Sequence, residues 1–543
     1  MTIRSSSDST TPMTSRVSRH TRIARSLVAL LAGATLTASC LSLEVTNPNT
    51  PDVDAVFGSG QNLDAALLGS WRTFWGVAQG SRGTTANYPV KQLSILGNET
   101  TSADVGDALS AVTGEPRFAI DNRDQGGWTN RKPWYDLYAS IASAREAFQA
   151  IENQGLKVGV VTAAIPEGTD TQRAKVFAKF MIGVNTIYLG LLFDQAYLTD
   201  EKTDPAVGGF ELKPYQQVTD NGIRILREAI ADARAARDFT LPATLINGQT
   251  YTRDELIRVM HSYIIRARVY GARTPQERAA VNWGGVLAQL DSGLVTRSFA
   301  QQADLTIAAT LSTYYQGSYL QTNVRTNNRL VGPADTSGEY QRWLARPLGE
   351  RAQITIVTPD RRIHAATGPT VAGTRFAFLP TQSMPTANGT YMHSRYRNTR
   401  FLVPPLNNFH STGLITTMSV DEMRYLRAEA LIRLNRPSDA LALINPTRIA
   451  AGLPAVAVTG PPNNRACVPK RDDGTCGDLF DALQYEKRID LFPTEALIAF
   501  ADARGWGKLI TGTPIHFPVH GRELELLGFP YYTFGGGGPG SAP

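Results

Sequence analysis

The apolar positions of this chain fall into helical stripes over much of its length. Trp134, Leu137, Tyr138, Ile141, Ala144, Phe148 and Ile151 recur at steps of three and four, so they share one helix face. Val176, Phe177, Phe180, Met181, Val184, Ile187, Tyr188 and Leu191 repeat that pattern. Further stripes occupy about 215–236, 252–271, 420–435, 437–445 and 478–504. Pro437 and Pro493 fit the first turn of a helix, where a missing N–H leaves no hydrogen bond unmade. Such segments, paired across short or medium loops, are the signature of stacked helical hairpins. Trp134-x2-Leu137 and Ala144-x3-Phe148 loosely follow the tetratricopeptide pattern. An ordinary helical bundle fits the stripes equally well. Periodicity therefore predicts a mostly α fold and leaves its topology open.

Residues 297–416 break the pattern. They show little helical period and are rich in Asn, Thr, Gly, Pro, Arg and aromatic residues. Twelve Arg, no Lys and five acidic residues give this stretch a local balance of +7. A loop-rich stretch of this length is expected to carry function rather than merely connect helices. The composition, 42% hydrophobic and 19% charged, is that of a globular chain and excludes disorder and collagen-like repeats.

The N-terminus changes the picture of charge. Arg4, Arg16, Arg19, Arg22 and Arg25 precede the uncharged run Leu27–Leu36, which ends at Thr37-Ala-Ser-Cys40. A basic stretch, about ten apolar residues and small residues before a cut describe a secretory signal peptide. The run is shorter than the roughly 20 apolar residues that span a bilayer, and no later segment reads as a membrane helix. Starting at Met13 would give a more ordinary signal length. Leu36-Thr-Ala-Ser-Cys40 resembles the bacterial lipobox, with Thr37 in place of its usual Leu. Cys40 is thus the expected lipidation site and mature N-terminus, ahead of a tether over 40–60. Acyl chains contribute about 0.8 kcal/mol per buried CH₂, enough for stable anchoring when several are attached. Leu41 follows the cysteine, so no acidic residue stands there to signal inner-membrane retention. From Cys40 onward 49 basic and 47 acidic residues nearly cancel. The 297–416 stretch at +7 is then balanced by −5 elsewhere in the mature chain. Nucleic acid is not an expected partner.

Cys467 and Cys476 enclose a polar turn, which in an exported chain reads as a local disulfide. A metal pair is the alternative, but no His or Cys stands at ligand spacing nearby. Catalytic patterns are missing too: there is no G-x-S-x-G, H-E-x-x-H, P-loop or G-x-G-x-x-G. His516 and His520 are separated by Phe517-Pro518, which breaks the helix a shared metal would need, so they read as surface histidines. No catalytic residue, metal or cofactor is expected.

Several segments together resemble the SusD/RagB family of outer-membrane nutrient-binding lipoproteins. Trp134-Tyr-Asp-Leu-Tyr138-Ala-Ser-Ile141-Ala-Ser-Ala144 is similar to the family's W-x3-Y-x2-I-x2-A-N helix, with Arg145 in place of Asn. Phe177 to Phe193 resembles its long helix, although F-G-x-x-P appears here as Phe193-Asp-Gln-Ala. Tyr215 to Ala236, followed by Ala267-Arg268-Val269, resembles the next helices. Met423-Arg-Tyr-Leu-Arg-Ala-Glu429-Ala430, with Ala440-Leu, Ile444-Asn445 and Arg448, is similar to its R-Y-A-E-x4-A-E-A-L hairpin. Glu486-Lys-Arg488-Ile-Asp-Leu491 and Asp502-Ala-Arg504-Gly-Trp506-Gly are similar to its E-R-x-x-E-L…R-W-G ending. The segments are collinear over about 41–530. The family's terminal N-P-x-x-x-Q-N-P-G-Y stretch is absent.

The resemblance implies a mostly α fold, an α-solenoid of tetratricopeptide-like helical hairpins supporting a loop-rich ligand-binding layer. The hairpins would cover about 130–295 and 418–510, the layer about 297–416, and a glycine-rich tail 531–543. It also implies an outer-membrane location facing outside, a SusC-like TonB-dependent β-barrel transporter as partner, and binding without catalysis. The rivals are a lipid-anchored hydrolase and a protein-interaction scaffold. Sugars pack their C–H faces on aromatic rings. Tyr314, Tyr315, Tyr319 and Trp343 in the polar middle layer, with Trp75 and Trp128, are the candidate platform. The arginine excess of that layer suits a carboxylate or sulfate, the barrel interface or a peptide C-terminus. The expected ligand is an oligosaccharide, leaning acidic, with a peptide as alternative.

Overall fold

The structure, a computed structural model, describes residues 59–80, 89–102, 115, 117, 119–122, 128–304, 306–312, 314, 324–380, 392–400 and 413–536. The signal segment, Cys40, almost all of the 40–60 tether, Tyr315, Tyr319 and residues 537–543 lie outside them.

Helices dominate. The longer ones are α1 Gly60–Gln79, α2 Pro89–Leu96, α3 Trp128–Gln154, α4 Thr171–Leu192, α5 Tyr215–Ala235, α6 Arg253–Tyr270, α7 Trp283–Leu290, α8 Glu339–Ala345, α9 Val420–Arg433, α10 Pro437–Ala450, α11 Leu479–Leu491, α12 Ala496–Gly505 and α13 Gly521–Leu527. Successive helices pack on one another, α3 on α4, α4 on α5, α5 on α6, α6 on α7 and α9 on α10, as a row of hairpins does. The strands among the described residues form only two-stranded antiparallel pairs, such as Thr100–Ser102 with Val324–Thr326 and Phe299–Ala303 with Gly413–Met418.

Local chemistry explains the ends and crossings of these helices. Thr252 and Glu255 form a reciprocal capping box at the start of α6, and Asp478 and Asp481 do the same for α11. The α4–α5 crossing is tight because both helices present glycine there. A Cβ on Gly183 would lie 2.6 Å from Leu226 Cδ2, and one on Gly222 would lie 2.9 Å from the Ile187 nitrogen. Helix α4 is buried on nearly every side, and the charged side chains near its start are paired, Arg173 with Asp64 and Lys179 with Asp232. Its 22 residues include an apolar window of mean hydropathy 1.3, which satisfies the length and composition of a membrane span, contrary to the sequence reading. Neighbouring helices, not lipid, surround it.

Other expectations change as well. Pro437 is at the first turn of α10, but Pro493 lies in the turn between α11 and α12. His520 is buried and caps α13, its Nδ1 accepting from the Arg522 N–H, so it is not a surface side chain. Burial, with Arg273 and Arg504 nearby, lowers His516 to about 2, and burial with Arg131 lowers His520 to about 4. Both are neutral imidazoles. The ordered fold also runs past residue 530: Thr533–Phe534 pairs with Ile120–Asp121, and the Tyr532 hydroxyl donates to Asp194. The first residues of the expected tail therefore belong to the domain.

Candidate ligand site between the scaffold and the loop layer

Three buried ion-pair networks tie the molecule together. Arg266 reaches Glu422 at 2.7 Å and Glu495 at 2.8 Å. Arg278 reaches Glu429 at 2.7 Å and Asp502 at 3.0 Å, and Lys487 meets Asp502 at 2.7 Å. The third joins the layers: Arg362 contacts Asp360 at 2.7 Å, Glu486 at 2.7 Å and Asp490 at 3.0 Å, while Arg448 shares Glu486 at 2.9 Å. Buried charges persist only when paired and hydrogen-bonded, and these are.

Helix α11 faces both ways. Glu486 and Asp490, four residues apart, turn toward Arg362. Asp481, Gln484, Tyr485 and Arg488, at steps of three, one and three, share another face and line a cleft of about 430 Å³. The opposite wall comes from the loop layer, with Arg329, Leu330, Pro333 and Tyr340. Pro469, Lys470, Arg471, Asp472 and Asp473 form a third side. That side is part of the loop closed by the disulfide joining Cys467 to Cys476. Trp506 and Lys508 complete the lining. Its size is that of a small-ligand pocket, and its lining is largely charged and polar with aromatic and proline surfaces between.

Within the cleft the polar groups differ in how far they are engaged. Arg471 pairs with Asp478 at 2.9 Å and Asp481 at 2.6 Å. Arg329 reaches Glu115 at 2.7 Å and Asp472 at 3.6 Å. Arg488 instead donates to main-chain oxygens, to Asn98 at 3.1 Å, Gly97 at 3.3 Å and Arg329 at 3.4 Å. Gln484 is 8% exposed and Tyr340 1%, yet neither the Gln484 amide nor the Tyr340 hydroxyl has a hydrogen-bond partner among the described residues. Glu99, next in the chain to Asn98, is buried and pushed up to about 8 by that burial, against the opposing pull of the Tyr314 hydroxyl and Arg488.

No protein-family model and no curated sequence matches the chain. Solved structures do match, over most of its length. A SusD superfamily protein from Parabacteroides distasonis gives a TM-score of 0.55 at 14% identity, covering 87% of this chain and 99% of that one. A SusD homolog from Bacteroides thetaiotaomicron gives 0.53 at 12%, covering 86% and 96%. A SusD/RagB family protein from the same species gives 0.50 at 15%, covering 86% and 95%. The chain has the SusD fold. At such identities the likeness speaks for architecture and not for ligand.

Among the described residues, the aromatic candidates expected from sequence form no open platform. Trp75 is fully buried, its Nε1 donating to the Leu311 oxygen at 3.0 Å. Tyr314 is 2% exposed; its hydroxyl donates to Glu99 and its ring meets Phe492 edge-on. Trp343 is fully buried, stacked at 17° on Tyr340 and covered by the Arg351 guanidinium. These three rings are packed in the interior, Trp75 on α1 and the other two in the layer, and present no face to a sugar. Trp128 opens α3, but its side chain lies outside what the structure describes, as do Tyr315 and Tyr319.

The reading missed the residues that do line a cavity. Tyr340, three positions before Trp343, faces the cleft while the tryptophan supports it from behind. Gln484 and Arg488 went unnoticed as site residues because they belong to a strong helical stripe. The available signal was their i, i+4 spacing on the polar side of that stripe.

Proposed function

We propose that this chain is a lipid-anchored binding protein that captures a nutrient oligomer at the cell surface and passes it to a TonB-dependent outer-membrane transporter. The SusD fold across nearly the whole ordered chain is the observation that carries this reading, because solved structures of that name share its architecture end to end. The Leu36-Thr-Ala-Ser-Cys40 sequence supports the anchor. The cleft between α11 and the loop layer supports ligand capture, having the size and mixed lining of a binding pocket. Its groups bind and orient; no nucleophile with an adjacent base is set there, so hand-off without chemistry is the reading it favours.

The test uses protein extracted from membranes with detergent. Intact mass should show diacylglyceryl on Cys40, affinity capture should recover a β-barrel of the outer membrane, and glycan and peptide arrays should show a ligand. Unmodified protein in the medium would sink the anchor. Blank arrays, with no barrel recovered, would sink the capture role and favour an interaction scaffold.

A further inference from the structure

We propose that the cleft lined by Gln484, Arg488, Tyr340 and Lys508 recognises a carboxylate on a short acidic oligomer, with Arg488 and Lys508 taking the charge and Gln484 and Tyr340 orienting the polar groups beside it. This specifies the ligand chemistry of the binding role proposed above and rests on it.

Three observations carry the assignment. The first is charge. Arg329, Lys470, Arg471, Arg488 and Lys508 line the cleft against Asp472, Asp473 and Asp481. The three acids already have work within the protein. Asp481 closes the capping box of α11 and pairs with Arg471. Asp473 accepts from the N–H and hydroxyl of Thr475, at 2.9 and 2.6 Å. Asp472 faces Arg329. The positive charge of the cleft is less fully matched. Lys508 is 55% exposed and its nearest acid, Asp481, is 3.8 Å away. Arg488 has no carboxylate within ion-pair distance among the described residues and donates only to main-chain oxygens, which leaves it further N–H donors.

The second observation is the state of the acid nearest in charge to Arg488. Glu99 is pushed up to about 8 by burial, so near neutral pH its carboxyl is protonated and does not cancel the guanidinium. The third is the pair of silent polar groups. Gln484 and Tyr340 border the same cleft, and the amide and the hydroxyl have no hydrogen-bond partner among the described residues, so both are available to a ligand that displaces water there. Tyr485, Trp506, Pro333 and Pro469 then offer apolar walls to a ring or side chain attached to the carboxylate.

A carboxylate of this kind comes from a uronic-acid sugar or from a peptide C-terminus, and the experiment separates them. Calorimetry on the detergent-solubilised protein would use trigalacturonate, galactotriose, and a tripeptide with a free or an amidated C-terminus. An acidic probe should bind about tenfold or more tighter than its neutral counterpart, and the margin should shrink as salt rises. Lys508→Gln and Gln484→Ala should each remove most of that margin without shifting the melting temperature. Arg488→Gln should abolish it, but Arg488 also holds the Gly97 and Asn98 oxygens, which is why the other two variants are decisive. Preference for trigalacturonate assigns a sugar; preference for the free over the amidated tripeptide, with trigalacturonate silent, assigns a peptide. Equal binding of acidic and neutral probes, or acidic binding untouched by Lys508→Gln and Gln484→Ala, overturns the cleft assignment and leaves the capture role standing. Failure of all four probes overturns it too, whereas the capture role falls only with blank arrays and no recovered barrel.

Discussion

The helical scaffold and the loop layer are built by different forces. In the scaffold, Trp134 packs its ring against Tyr138, Phe193 and Tyr197, with centroids 5.1, 5.0 and 5.9 Å away, and helix follows helix through local apolar contacts. The layer has few helices, and its arginines reach out of it. Arg362 runs to Glu486 and Asp490 of α11, Arg329 to Glu115 and Asp472, and Arg297 to Glu255 at the start of α6. The surplus of twelve arginines and the deficit elsewhere are therefore two sides of one interface within the molecule. An imbalance of charge along a sequence is not by itself a signal for an outside partner. Part of this one is consumed in ion pairs that leave the layer, from Arg297, Arg329, Arg351 and Arg362, and the cleft draws its cations mainly from outside the layer, Arg329 excepted.

The largest expected effect comes from cutting that interface. Arg362→Met strands Asp360, Glu486 and Asp490 without their main cation in a buried site. Breaking a buried pair from one side costs about 3–5 kcal/mol, and three carboxylates put this variant near the top of that range. Urea unfolding should show the loss, and limited proteolysis should cut first within 324–380 while the scaffold survives. If layer and scaffold instead unfold together, they form one cooperative unit and the comparison fails.

Next comes the scaffold's own weak point. Trp134→Ala should cost about 3–5 kcal/mol by leaving a cavity between α3 and the Phe193 turn. It should leave ligand binding intact in the fraction that folds. A variant that folds normally and loses binding would move Trp134 from the core to the site.

A comparable effect, and one with a sign in pH, belongs to Glu99. Burial raises its pKa from 4.5 to about 8. The folded state thus holds a proton that the unfolded state releases above about pH 4.5, so stability falls as pH rises from about 4.5 to 8 and then levels off. Glu99→Gln removes the titration while keeping an acceptor for the Tyr314 hydroxyl. Thermal unfolding should find the variant equal to the parent near pH 4 and more stable by roughly 4 kcal/mol near pH 8. A pH-independent difference would mean that Glu99 ionises normally in the fold.

The sequence exposed these two regions unequally. Stripes such as Val176 to Leu191 revealed α4 because a helix is a local object, and its period of 3.6 survives without knowledge of what it packs against. Helix α1 carries the same period through Leu63, Leu67, Trp71, Phe74 and Ala78, and Trp75, four residues after Trp71, belongs to that buried face rather than to a ligand platform. The cleft was invisible to such periodicity. Arg488 meets Arg329 and Tyr340 there from 159 and 148 residues further along the chain, and no spacing rule links them. Tyr340 and Trp343 are both buried and stacked on each other, and nothing in a loop-rich stretch of sequence tells which of the two borders a cavity.

The smallest predicted effect tests whether every arginine of the layer is structural. Arg342 lies on α8, only two positions from Tyr340, yet its side chain is 60% exposed and pairs with Glu339 on the same helix at 2.8 Å. Such a pair gains little from Coulomb attraction in water and must order two flexible side chains, so it contributes about 0–1 kcal/mol. Arg342→Gln should therefore leave urea unfolding almost unchanged, and what loss there is should vanish at high salt, since exposed pairs are screened and buried ones are not. The contrast with Arg362, an arginine of the same layer, is then one of burial alone. A loss at Arg342 comparable to that at Arg362, persisting in salt, would show that this turn of α8 is held by a charge the scaffold feels, and would make the whole layer, not only its inner face, part of the fold's electrostatic seam.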